Sequence, residues 1–316
     1  MANSQVVHRR VARWANIAIF ITVLLGGMVC VTDSSSTCPA WPVCYADQVG
    51  PDLATGWLEN PIIEFVHRLI SFAGLVLLGV CGWLGRRSRD PRLRVLPWVA
   101  LVCGVGSAVF GMMIILFSLP LALGLLDLGF ALVAMALAAV TDAALRLAHP
   151  TTRSVTPGRL AVAGLVVLIA MHLLGSIVAG TTTAGTGSFT RCLSWPLWEV
   201  HDIDRFPALQ GLRIALAVAA IVLILAVVVL ATRTPGLRAP AATLSAALVV
   251  ELALGVVITM GGLAPTQTNG IDATIAVSYS AAAVAIMWSL AWLMGRAMPA
   301  ERAASLSDEP ACSAVS

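Results

Sequence analysis

The chain contains no lysine. Its 19 basic residues are all arginine, set against 16 acids, and charged residues make up only 11% of its 316 positions. A soluble domain carries about 25% charge, so the composition excludes an ordinary cytosolic enzyme. A hydrophobic fraction of 59% excludes a disordered chain. The net charge of +3 is too small to define an electrostatic partner, and nothing in it points to nucleic acid.

Apolar runs long enough to cross a bilayer, about 20 residues each, recur along the whole chain. Eight are found, at 12–32, 62–84, 95–117, 121–145, 160–180, 208–231, 240–262 and 271–295. The connections between them are too short for a separate soluble domain. The first run is too long, and too poor in a cleavage signal, to read as a removed signal peptide. The expected fold is all-α: a polytopic membrane protein of eight transmembrane helices.

The arginines set its orientation. Arg86, Arg87, Arg89, Arg92 and Arg94 follow span two, Arg146, Arg153 and Arg159 follow span four, and Arg233 and Arg238 follow span six. Arg9, Arg10 and Arg13 flank the first span, and Arg296 and Arg302 the last. On the other side, loop 33–61 has Asp33, Asp47, Asp52 and Glu59 and no arginine. Loop 181–207 balances Arg191 and Arg205 with Glu199, Asp202 and Asp204. The reading is a multi-pass protein of the plasma (cytoplasmic) membrane, with both termini cytoplasmic and the two long loops outside.

Those loops echo each other. Cys38-Pro39-Ala40-Trp41-Pro42-Val43-Cys44 opens the first, and Cys192-Leu193-Ser194-Trp195-Pro196-Leu197-Trp198 stands in the second. Both follow an odd-numbered span, so the chain reads as a duplication: two tandem four-helix-bundle halves, 1–150 and 151–316, in parallel orientation. Such halves build sites between helices near a pseudo-two-fold axis. Cys38 and Cys44 lie in an oxidising compartment and are expected to form a disulfide. A structural clip, a redox-sensitive clip and two free thiols remain the alternatives. Trp198 takes the place of a second cysteine in the second loop, so Cys192 is expected to be free. Cys81 and Cys103 read as small packing residues.

A titratable side chain at bilayer depth is a functional hypothesis by default. The clearest group is Glu64, His67 and Arg68, near the outer end of span two. Glu64 and His67 share a helix face. A neutral imidazole there suits haem iron, and Arg68 suits a haem propionate or a lipid phosphate. A helix-holding ion pair is the bland alternative. Asp127, about six residues into span four, lies at a depth close to that of His67. It could accept a hydrogen bond from His67, act as a carboxylate base, or pair with Arg68. Glu251 reads as a buried acid, neutral or hydrogen-bonded between helices, and Asp272 as a helix N-terminal cap. His172 reads as a satisfied core residue, His201 as solvated, and His8 and His149 as flank residues.

The run Gly26-Gly27-x-Val29-x-x-Thr32-x-Ser34, then Cys38-Pro39-x-Trp41-Pro42-x-Cys44, then Glu64-Phe65-x-His67-Arg68, resembles the heme A synthase family. The eight spans and duplicated halves agree with it. The resemblance implies oxidation of the C8 methyl of haem O to a formyl group, giving haem A. It implies haem O as substrate in the N-terminal half, and a second haem (haem b) as cofactor in the C-terminal half. Each half would supply two histidines, from its second and fourth helices. Here only His67 of the four is present. Asp127 stands in the Leu126-Asp127-Leu128 position, Gln210-Gly211-Leu212-Arg213 on span six, and Val277-Ser278-Tyr279 on span eight. Cys30 stands where the family usually has arginine.

Two functions follow as expectations. One is haem O oxidation, with Glu64 handling protons or substrate water, His67 holding the substrate or its iron, and Asp127 in place of the distal histidine. The other is a non-catalytic relative that binds haem or serves a membrane complex. The implied partners are haem, the lipid bilayer, and haem O synthase, a terminal oxidase pathway or another membrane complex. A small-solute transporter has little support, because no span is interrupted near its middle except by glycine.

Overall fold

The structure, a computed structural model, describes residues 2–117, 121–146, 155–179, 207–261 and 270–297. The described residues hold no strand. They form eight helices, each long and apolar enough to cross a membrane. These are α1 (Ala2–Thr32), α2 (Pro61–Gly85), α3 (Pro91–Phe117), α4 (Leu121–Leu145), α5 (Val155–Ala179), α6 (Pro207–Thr232), α7 (Arg238–Gly261) and α8 (Ile271–Ala297). Every expected span is a helix. The helices overshoot the apolar runs mainly at their arginine-bearing ends, where polar residues continue the backbone pairing beyond the hydrocarbon.

The two halves close the same ring. In the first, α1 packs on α2, α2 on α3, α3 on α4 and α4 on α1; in the second, α5 packs on α6, α6 on α7, α7 on α8 and α8 on α5. The rings meet where α8 contacts both α4 and α1, and α4 contacts α5. Lipid tails are as apolar as leucine, so burial alone cannot hold these helices together; close packing and hydrogen bonds must. The seam is accordingly built from small residues. Ala136, Ala139 and Ala143 of α4 and Ala283, Ala291 and Gly295 of α8 are all buried. A polar tie crosses it as well. The Asn16 amide of α1 donates to Asp142 of α4 at 3.0 Å, and the Trp288 indole of α8 donates to Asn16 at 2.9 Å. Arg146 grips Asp142 with two bonds, at 2.9 and 2.8 Å.

The outward faces show where lipid belongs. On α2, Leu69, Phe72, Val76, Val80 and Trp83 are exposed at helical spacing. α3 is the most peripheral helix, its span only 6% buried. In water such stripes would be a large adhesive patch.

Gly295 is a point of the seam packed directly against backbone. A Cβ there would stand 2.8 Å from both Ala143 Cβ and Val140 O, and the latter, as backbone, cannot move aside. Gly295→Ala should therefore destabilise the folded chain in detergent by about 1–3 kcal/mol, the usual cost of overpacking. Gly211→Ala, with nothing within 4 Å of the added atom, should be neutral or gain up to about 1 kcal/mol of helix propensity. Thermal unfolding of the two variants side by side checks the contrast.

Candidate functional site

The site is set by how α2 begins. Asn60 caps the helix, its side-chain oxygen accepting from Ile62 N at 3.0 Å, and Pro61 occupies the first helical position, where its missing N–H costs nothing. Asn60 is pinned in turn. Its amide donates to Gly56 O at 2.8 Å and its N–H to Ser34 Oγ at 3.3 Å, while Glu59 N–H donates to Thr32 O at 2.9 Å. The end of α1 and the start of α2 are thus tied together, and Glu64 falls in the first turn of α2 with His67 and Arg68 one turn deeper.

Above them lies the first long loop. Cys38 and Cys44 are bonded to each other and fully buried. Cys30, near the end of α1, is also disulfide-bonded, and its partner is not among the described residues. Cys81 and Cys103 are free and buried. Cys192, expected to be free, lies outside the described residues, as do His149, His201 and the charged residues of loop 181–207.

Arg68 joins loop to helix. Its Nε donates to Glu64 Oε1 at 2.7 Å, its Nη2 to Cys38 O at 2.7 Å, and its Nη1 to both Val43 O, at 2.8 Å, and Ala40 O. Three carbonyls of the disulfide-closed loop and one carboxylate therefore surround a guanidinium whose side chain is only 11% exposed. This is the cage that a buried cation needs. Its donors are directed at protein groups.

Glu64 is divided between two cation-forming neighbours. Oε1 receives Arg68, and Oε2 faces His67 Nδ1 at 3.7 Å. That nitrogen is buried and has no hydrogen-bond partner. The opposite nitrogen, Nε2, points at Gly26 of α1, where a Cβ would come within 3.5 Å. The imidazole is 26% exposed, so one edge stays open. A carboxylate behind one ring nitrogen of a part-exposed imidazole is an arrangement that orients a metal-binding histidine.

Asp127 comes from the far side of the ring. Its carboxylate accepts from Ser107 Oγ of α3 at 2.5 Å, and Gly111 of α3 leaves room beside its other oxygen. Its charge acts on both His67 and Glu64, but its hydrogen bond is to Ser107, and Arg68 bonds Glu64 instead. The structure thus brings Glu64, His67 and Arg68 into one constellation, with Asp127 as an electrostatic neighbour. Sequence reading missed Ser107, Gly26 as the neighbour of His67 Nε2, and the loop carbonyls. Ser107 was findable as a lone hydroxyl in an apolar span. The carbonyls were not, because every residue carries one.

Fold and site define a polytopic helical membrane protein with a carboxylate–imidazole–guanidinium site under a disulfide-closed loop. No protein-family model matches the chain. It is similar to the Heme A synthase of Brucella anthropi, 32% identical over 142 residues, or 41% of this chain and 39% of that protein. The Heme A synthases of Brucella ovis and Brucella suis are 32% identical over 140 residues, 41% of this chain and 38% of theirs. The match thus spans about two-fifths of the length of these relatives.

Removing the guanidinium would leave Glu64 and three loop carbonyls without their donor. Arg68→Ala should cost about 3–5 kcal/mol, the range for one partner taken from a buried ion pair. Arg68→Lys should recover only part of that, since one ammonium cannot reproduce the planar fork. Chemical or thermal unfolding of the purified variants measures both.

Proposed function

We propose that the chain is a heme A synthase-like membrane protein whose N-terminal half binds haem O and oxidises its C8 methyl group towards the formyl of haem A. The observation that carries this reading is the part-exposed His67 ring, with Nδ1 turned to Glu64 and Nε2 beside Gly26, which puts no side chain against it. The named relatives support it. Its setting is the plasma (cytoplasmic) membrane, with both termini cytoplasmic and the Cys38–Cys44 loop outside, on the strength of the arginine-bearing loops. Haem O synthase and a terminal oxidase are the partners such a role calls for.

The residues fit haem as substrate. His67 Nε2 would hold the iron, and a carboxylate behind Nδ1 strengthens an imidazole as a ligand. Bound haem supplies redox chemistry that no side chain here has. Turning a methyl into a formyl group with water releases protons along with electrons, and Glu64 is the nearest group to take them up. Arg68 fixes Glu64 through Oε1 and leaves Oε2 for that work. The Cys38–Cys44 loop above holds Arg68 through its carbonyls. By the family resemblance Asp127 would replace a second ligand, but a carboxylate is a harder ligand than imidazole, and this one is bonded to Ser107.

That last bond favours the second reading, a non-catalytic haem-binding or membrane-complex subunit. A haem held on one side only can be carried or sensed without being oxidised. The two separate cleanly: haem O supplied to the purified protein with an electron acceptor yields haem A under the first reading and is recovered unchanged under the second.

Both readings share an optical prediction. Bound haem should be five-coordinate or weakly six-coordinate, and its spectrum should shift on adding imidazole or cyanide. His67→Ala should abolish it, Gly26→Val should weaken it by crowding Nε2, and Ser278→Ala should leave it alone. Asp127→His should move it towards a low-spin bis-imidazole form. A His67→Ala protein that keeps the wild-type spectrum would sink the assignment.

A further inference from the structure

The resemblance asks for a second haem in the C-terminal half, and the described residues there do not fit one. Arg213 of α6 is 0% exposed and Tyr279 of α8 is 1% exposed. The Arg213 guanidinium donates to Gln210 at 3.1 Å and lies flush against α5, so that a Cβ on Gly175 would meet its Nη2 at 3.0 Å. Its charge acts on both His172 of α5 and Tyr279. Tyr279 borders the same cavity as Glu251 on α7, and the two side chains act on each other. Five buried polar groups thus converge from all four helices of this half.

The space left among them is small. The cavity bordered by His172, Glu251 and Tyr279 has a volume of about 40 Å³, room for two or three water molecules. Sites for drug-sized ligands run to about 300–1,000 Å³. Glu251 Oε2 is buried there without a hydrogen-bond partner, a position suited to water. His172, the one histidine among the described residues of this half, donates from Nδ1 to Leu168 O at 2.8 Å. It sits on α5 and not on either helix from which the family draws its ligands.

We infer that the C-terminal half has exchanged a porphyrin site for a hydrated polar clamp, in which Arg213, Tyr279, Glu251 and His172 hold four helices together, and that the chain binds at most one haem. The second half then has a structural task, and electrons leaving the first half must pass to an acceptor outside this chain. The inference rests on the proposed function only for where the first haem sits.

The experiment is a haemin titration of the full-length His67→Ala protein, followed by Soret absorbance and thermal midpoint. With the N-terminal ligand removed, no saturable uptake and no shift of the midpoint are expected. Saturable one-to-one binding, lost on the further change His172→Ala, would overturn the inference. Haemin uptake by the wild-type chain is read separately: its absence would count against the proposed function and leave this inference standing. The clamp has its own readout in protein free of haem. Arg213→Leu should lower the midpoint by roughly 10 °C, and Tyr279→Phe, a gentler change that keeps the ring, by less. Midpoints unchanged in both variants would overturn it.

Discussion

The N-terminal half depends on one buried guanidinium. A buried cation is costly unless its donors are met, and Arg68 meets them with groups from two places: a carboxylate one turn earlier on its own helix, and three carbonyls of the first long loop. The loop can offer those carbonyls because the Cys38–Cys44 bond closes it. The disulfide, the loop backbone, Arg68 and Glu64 therefore form a single unit, and His67 is placed by it. An orienting carboxylate is worth little if it can swing away. Here one of its oxygens is fixed, and the other is held toward the imidazole.

The same physics produced a different result in the other half. Arg213 is fully buried, and a glutamine, a phenol and an imidazole from the surrounding helices act on it. The two helix rings thus carry unlike centres. The first holds a part-exposed imidazole, and the second borders a small cavity fit for water. Two rings with the same helix order can differ in what their side chains hold.

Much of this was legible from the residues. Span positions follow from apolar length, because only a helix satisfies its backbone in lipid. The Glu64–His67–Arg68 face follows from helical spacing, and the disulfide from two cysteines in one short outer loop. What the sequence could not reveal was direction. Arg68 suited a propionate on paper, but it turns to the loop carbonyls, which carry no mark in a sequence. Asp127 suited His67 or Arg68 equally well, and a hydroxyl on the neighbouring helix took it. The shared ring of the two halves was hinted at only by Cys-x-x-Trp-Pro, since four apolar helices pack through small residues whose pattern is too common to read.

The central claim is a haem held by one imidazole in the N-terminal half. Electron paramagnetic resonance of the ferric, haem-loaded protein tests it most directly, because spin state reports the axial ligands. The account predicts an axial high-spin signal from iron with one strong ligand, converting to low spin when imidazole is added. A low-spin bis-imidazole signal from the protein as purified would contradict it.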